Sequence, residues 1–221
     1  MTPLFRGLCA TCNKPGARLV CSGCLSVEYC DAACQRRSWK SHKLECKSRA
    51  ASRLITLQGE AGSGNTVAQC NLGVCYDRGI GAPVDKVQAV TWYRRAAEAG
   101  HSVAQFNLGI CYHKGEGGVP ADEVQAVMWY RRAAEGGHSD AQFNLGYSYY
   151  NGKGVPEDAV HAVTWYRRAA EAGDPSAQFN LGVFYHEGEG VPKDVVESRK
   201  WLRRAADAGH SGASEMLSSM C

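Results

Sequence analysis

The sequence predicts an all-α chain, a helical-repeat solenoid preceded by a small metal-stapled finger. Three observations carry that prediction. A block that opens Ala-Gln-Phe-Asn-Leu-Gly and closes Trp-Tyr-Arg-Arg-Ala-Ala-Glu starts at Ala104, returns at Ala141, and recurs with edits from Ala68 and Ala177. Trp92, Trp129, Trp165 and Trp201 stand 37, 36 and 36 residues apart, a period that belongs to stacked helix pairs. Seven of the eleven cysteines crowd between Cys9 and Cys46 in close pairs, a spacing that reads as metal ligation.

Charge is unevenly spread. Residues 1–58 carry ten Lys/Arg against three Asp/Glu, and residues 59–221 carry fifteen against nineteen, so a basic head precedes a mildly acidic body. Residues 1–8 contain Pro3 and Arg6 and are too short for a secretory signal. The expected compartment is therefore intracellular, cytoplasm or nucleus, where dense cysteines mean metal rather than disulfides. No apolar run approaches the roughly eighteen residues a membrane span needs, and no membrane partner is expected.

In the head, residues 1–47, the spacing is Cys9-x2-Cys12, Cys21-x2-Cys24, Cys30-x3-Cys34 and His42-x3-Cys46. Eight ligands in four pairs suffice for two closed tetrahedral sites, one all-cysteine and one with three cysteines and a histidine. A two-residue gap lets a knuckle turn aim both thiolates at one ion, and a three-residue gap puts both ligands on one face of a helical turn. Spacing alone leaves open which pairs share an ion. The expected arrangement is a cross-brace, with Cys9, Cys12, Cys30 and Cys34 on one zinc and Cys21, Cys24, His42 and Cys46 on the other. Interleaving would tie together a segment with almost no apolar core. Soft ligands in tetrahedral sets favour Zn2+. With every position filled by protein, the two ions are structural, and no head cysteine is left over as a nucleophile.

Together with Tyr29-Cys30 and Cys34-Gln35-x3-Trp39-x2-His42-x3-Cys46, this run resembles a MYND-type zinc finger ligand for ligand, and not RING or PHD fingers. The resemblance implies a cross-braced fold that binds proteins, docking proline-containing peptides along an edge strand. It places Ser22, Gln35 and Trp39 at the peptide-contacting positions; the alternative for Trp39 is packing between the two metal sites. Seven thiolates and two zinc ions lower the head's formal +7 to about +4. Arg36, Arg37, Lys40, Lys43, Lys47, Arg49 and Arg53 still make a basic surface, so a nucleic-acid-binding or transcription-associated regulator is the alternative function.

Residues 48–65 read as a linker. Arg53-Leu54-Ile55-x-Leu57 suits a capping helix, and Gly59, Gly62 and Gly64 suggest a flexible break after it. The same stretch superficially resembles a phosphate-binding loop, but Asn65 stands where the lysine is needed.

Residues 66–221 hold the array, with full units near 68–103, 104–140, 141–176 and 177–212 and a partial closing helix over 213–221. In each unit a first helix carries apolar residues four apart, as Ala68, Leu72 and Tyr76, with Gly73, Gly109, Gly146 and Gly182 leaving room for a close crossing. Asp85, Asp122, Asp158 and Asp194 precede the second helices as N-terminal caps. Gly100, Gly137, Gly173 and Gly209 end those helices. Ser102 and Ser139, each three residues before a glutamine, read as capping boxes, and Asp174-Pro175 serves the same purpose. Cys70, Cys75 and Cys111 fall at packing positions.

These units resemble Sel1-like repeats, relatives of the tetratricopeptide class, which implies a right-handed superhelical scaffold with a concave face for protein partners. The Arg94/Arg95, Arg131/Arg132 and Arg167/Arg168 pairs could grip an acidic peptide; the blander reading pairs them with Glu98, Glu135 and Glu171 on the same helix. Repeat four departs, with Glu197-Ser-Arg-Lys200 and with Leu202 in place of tyrosine, and is expected to cap the array. The expected function is a zinc-dependent protein-interaction adaptor or scaffold with protein or peptide partners and no small-molecule substrate. Nothing outside finger and repeats remains to form a catalytic domain, so no enzyme is expected.

Overall fold

The computed structural model describes residues 19–20, 28–29 and 48–220. Strands β1 (Leu19–Val20) and β2 (Glu28–Tyr29) pair antiparallel, with Leu19 opposite Tyr29 and Val20 opposite Glu28. Helices then follow: α1 over residues 48–62, α2 Thr66–Arg78, α3 Lys86–Glu98, α4 Ser102–Lys114, α5 Glu123–Glu135, α6 Ser139–Tyr150, α7 Ala159–Glu171, α8 Pro175–Glu187, α9 Val195–Asp207 and α10 Ser211–Ser219. The chain forms two compact units, residues 1–92 and 93–221.

In the second unit, α4 packs on α5, α6 on α7 and α8 on α9, and each pair packs on the next. The crossing inside a pair is as close as the glycines imply. A methyl group added at Gly109 would come within 2.6 Å of the Tyr130 ring, and one at Gly146 within 2.9 Å of Tyr166. In the last pair Leu202 takes the tyrosine's place against Gly182, and Ser198, fully buried, donates to the Gly182 carbonyl at 2.7 Å. The core is built from small and medium side chains in register. Ala126, Val127, Tyr130, Ala133 and Ala134 of α5 meet Ala141 and Leu145 of α6, and the same positions recur in α7 and α8. Alanine at so many contact points lets helix axes approach, and close packing recovers the dispersion energy that larger side chains would supply.

Turn chemistry repeats with the helices. Asp122, Asp158 and Asp194 accept from backbone N–H groups in the first turns of α5, α7 and α9. At the other end of α5, the Gly137 N–H donates to Ala134 O and the His138 N–H to Ala133 O, both at 3.0 Å. This is a Schellman closure, with Gly137 at φ +84°, where a glycine carries no Cβ penalty.

Two expectations change. The capping boxes at Ser102 and Ser139 do not form; the N-caps are His101 and His138, one residue earlier. Each accepts through ring Nδ1 from the N–H three residues on, Ala104 at 3.2 Å and Ala141 at 3.3 Å. The glutamines meant for the boxes, Gln105 and Gln142, turn away instead, and Gln178 of α8 does the same. Gln105, Gln142 and Gln178 are buried, and each donates Nε2 at 3.1 Å to the carbonyl of Ala97, Ala134 or Ala170, eight residues earlier on the preceding helix. A buried carbonyl satisfied across a repeat junction outweighs a cap that water could replace.

The second change lies in the first unit. α1 runs through Gly59 and Gly62 to residue 62, so the glycines do not interrupt it. Ala50, Leu54, Leu57 and Ala61 of α1 bury against Ala68, Leu72 and Cys75 of α2 and against Ile80. Gly64, at φ +93°, donates to Ala61 O, and Asn65 donates to Glu60 O. Asn65 then caps α2, and Gln69 Nε2 donates to Ala61 O at 3.1 Å. These are the same closure, cap and cross-junction bond found in the later repeats. Residues 48–65 therefore repeat the second-helix half of a unit, although their sequence barely shows it. Burial of the Ala50/Leu54/Leu57/Ala61 stripe offsets the helix-propensity cost of two glycines, about 1 kcal/mol each.

Candidate functional site

The finger residues expected to hold zinc, Cys9, Cys12, Cys21, Cys24, Cys30, Cys34, His42 and Cys46, lie outside the described residues, as do Ser22, Gln35 and Trp39. The described hairpin brackets Cys21-x2-Cys24 in sequence. The donor set, seven thiols and an imidazole, has the chemistry of tetrahedral zinc. Among the described residues, no group of three or more His, Cys, Asp or Glu could hold a metal. Cys70, Cys75 and Cys111 are buried packing residues, and burial pushes the Cys70 thiol up to about 11.

The arginine pairs make contacts within the array that the sequence did not suggest. The first member reaches forward to the next pair's tyrosine, eighteen residues on. Arg94 donates to Tyr112 Oη at 3.1 Å, and Arg131 to Tyr149 and Arg167 to Tyr185 at 2.8 Å. In the first unit Gln58 occupies the same place, donating to Tyr76 Oη at 3.1 Å. The second member folds back over its own helix's indole: Arg132 over Trp129 at 4.7 Å and Arg168 over Trp165 at 4.6 Å; Arg95 likewise has an interaction partner. Planar guanidinium groups suit both contacts, one as a donor to a hydroxyl and one as a flat cation on a ring. The pairs clamp repeat to repeat and hold the tryptophans in place.

A polar position also recurs on the first helices. Asn107, Asn144 and Asn180 recur at one position of α4, α6 and α8, each half-buried. Asn180 bonds Tyr166, whose phenol is pushed up, chiefly by burial; the Asn144 side chain has no hydrogen bond among the described residues. Beside Asn144 opens a pocket of about 210 Å3, lined among others by His113, Lys114, Glu123, Tyr147 and Lys153. His113 Nδ1 lies 2.9 Å from Glu123 Oε2, so that carboxylate is engaged. Lys153 Nζ donates to Tyr147 Oη at 3.4 Å and sits 5.1 Å from the centre of its ring. None of these residues was singled out from sequence as a site. The signal was present in the recurrent asparagine and in Lys153, which stands where sister loops have Glu116 and Glu189.

A family model of the Sel1 repeat matches residues 66–101, 102–138, 139–174 and 175–210, more than half of the chain. The chain belongs to the Sel1-repeat family. The matched units begin at the first residues of α2, α4, α6 and α8, two residues ahead of Ala68, Ala104, Ala141 and Ala177. A MYND finger matches residues 9–46, which contain every expected zinc ligand, and that family implies zinc binding. Among solved structures, a protective antigen of uropathogenic Escherichia coli with the same repeat fold is 44% identical, with a TM-score of 0.73, covering 76% of this chain and 36% of that one. A Sel1 repeat protein from Oxalobacter formigenes is 36% identical, also with a TM-score of 0.73, covering 76% and 49%. Among curated relatives, ubiquitin carboxyl-terminal hydrolase 19 of Arabidopsis thaliana is 55% identical over 40 residues, 18% of this chain and 6% of that protein. The SET domain and MYND-type zinc finger protein 6 of Schizosaccharomyces pombe is 39% identical over 46 residues, 20% of this chain and 10% of that protein. The chain thus spans a small fraction of those two curated relatives. No helix among the described residues is long and apolar enough to cross a membrane.

Proposed function

We propose that this Sel1-repeat protein is an adaptor that joins two protein ligands, one on its MYND finger and one on the first-helix face of its array. The observation that carries this is the pairing of two interaction modules in one chain, one of which presents half-buried asparagines, Asn107, Asn144 and Asn180, at one repeated position. In the finger, Cys9, Cys12, Cys30 and Cys34 would hold one zinc ion and Cys21, Cys24, His42 and Cys46 a second. Bound zinc would supply folding energy to a segment with little core. Ser22, Gln35 and Trp39 would then contact a proline-containing peptide, with the indole as the flat apolar platform. In the array the Arg94, Arg131 and Arg167 clamps serve rigidity, which lowers the ordering cost of docking.

The test is a quantitative affinity capture comparing wild type, Trp39→Ala and Asn107→Ala/Asn144→Ala. The expected result is two partner sets, one lost with the first variant and another with the second. An identical set for all three would overturn the two-surface reading.

A further inference from the structure

We propose that the pocket between α4, α5 and α6 receives the carboxylate of an Asp or Glu side chain from an extended protein segment. This rests on the adaptor reading, whose array ligand it makes specific. The first ground is charge. Lys114 and Lys153 both line the pocket, and neither has a carboxylate partner among the described residues. The one acid in the wall, Glu123, is held by His113 at 2.9 Å. The net demand of the cavity is therefore for an anion.

The second ground is size and lining. A volume of about 210 Å3 holds one side chain rather than a folded ligand. Tyr147 and Asn144 add neutral groups, and the Asn144 carboxamide can both donate to and accept from a peptide backbone.

The third ground is that this junction is unlike its sisters. At the positions of Lys114 and Lys153, the preceding junction has Arg78 and Glu116, and the following one has Asn151 and Glu189. Of these three junctions, the one between repeats two and three has two cations at the matched positions, and both line one cavity. One helical turn further along α6, Tyr150 sits in the opposite field. Its phenol is pushed up chiefly by the Glu189 carboxylate, with smaller contributions from burial, Glu187 and Glu157. Tyr147 and Tyr150 are three residues apart and share a helix face. A bound segment therefore meets a cationic pocket and an anionic rim side by side. A dipolar peptide suits that pairing, whereas a uniformly charged polyanion such as a nucleic-acid backbone is repelled at the rim.

The full-length, zinc-loaded chain would be panned against a displayed library of random dodecapeptides. Enriched peptides should share an Asp or Glu. One selected peptide, labelled for fluorescence anisotropy, should bind about three- to tenfold more weakly to wild type when that acid is made an amide. The same change should have no effect on Lys114→Gln/Lys153→Gln, whose lysines are exposed and whose melting point should match wild type. Enrichment without an acid, an amide penalty that survives in the double variant, or equal competition by a single-stranded oligonucleotide would overturn the proposal while leaving the array a docking surface. No enrichment on wild type would count against the docking surface itself.

Discussion

The loop between α6 and α7 offers a controlled measurement of how strongly one repeat is locked to the last. Gly152 and Gly154 have nearly the same backbone, at φ +63° and +69°. A methyl group at Gly152 meets nothing closer than Glu157 Cβ at 3.5 Å, ordinary contact. One at Gly154 would lie 2.2 Å from the carbonyl oxygen of Glu123 and 2.5 Å from its carbon. Those are backbone atoms in the first turn of α5 and cannot rotate away. Both alanine variants incur a left-handed penalty of about 1–2 kcal/mol, partly offset by about 0.5 kcal/mol from a stiffer unfolded chain. Only Gly154→Ala adds overpacking, about 1–3 kcal/mol more. The difference between the variants is therefore the repeat-to-repeat contact, about 2 kcal/mol, free of conformational bias. Urea unfolding followed by helical circular dichroism would read it as a shift in midpoint. Gly154→Ala should also broaden the transition, because nearest-neighbour coupling makes a repeat array cooperative. Equal losses for Gly152→Ala and Gly154→Ala would refute the reasoning.

Other expectations follow from the same geometry. His101 and His138 cap helices through Nδ1, so they must stay neutral, and burial lowers the affinity of both for a proton; Asp140 partly opposes this at His138, and His101 adds to it. Their folded pKa values lie below the unfolded value of about 6.5, so the unfolded chain takes up protons first on acidification. Their contribution is complete above that value and is lost as pH falls from there toward the folded values. Urea midpoints across pH 7.5 to 5 should fall in wild type and flatten in His101→Asn/His138→Asn; a flat wild-type profile would sink the idea. Metal analysis should return about two zinc ions per chain, one for each four ligands, and chelation should leave most helical signal intact; one ion or none would refute the ligand assignment. A double-mutant cycle on Arg131→Ala and Tyr149→Phe should give a coupling of about 0.5 kcal/mol, since the pair is exposed on the arginine side. Zero coupling would remove the clamp.

The parts of this molecule that could be read without coordinates are those whose cause is local in sequence. The tryptophan spacing, the aspartate caps and the glycines after second helices depend on a few adjacent residues and on helical period. The match to a MYND finger over residues 9–46 is equally local, because it rests on ligand pairs only two or three residues apart. The histidine caps escaped because a neighbouring serine matched the commoner pattern, while the glutamine that would complete it was drawn into a buried bond with the preceding helix.

What needed the tertiary structure was every role decided across a junction. Gly59 and Gly62 look like a break until Leu54 and Leu57 are seen buried against α2. Arg131 looks like a surface cation until Tyr149, eighteen residues away, is seen to accept from it. Lys114 and Lys153 look unremarkable in separate repeats and become one pocket only when α4 and α6 stand side by side. Local spacing specifies helices and their ends because hydrogen-bond geometry is short-range. Stacking specifies which faces meet, because burial couples residues a whole repeat apart, and it thereby decides which faces stay exposed.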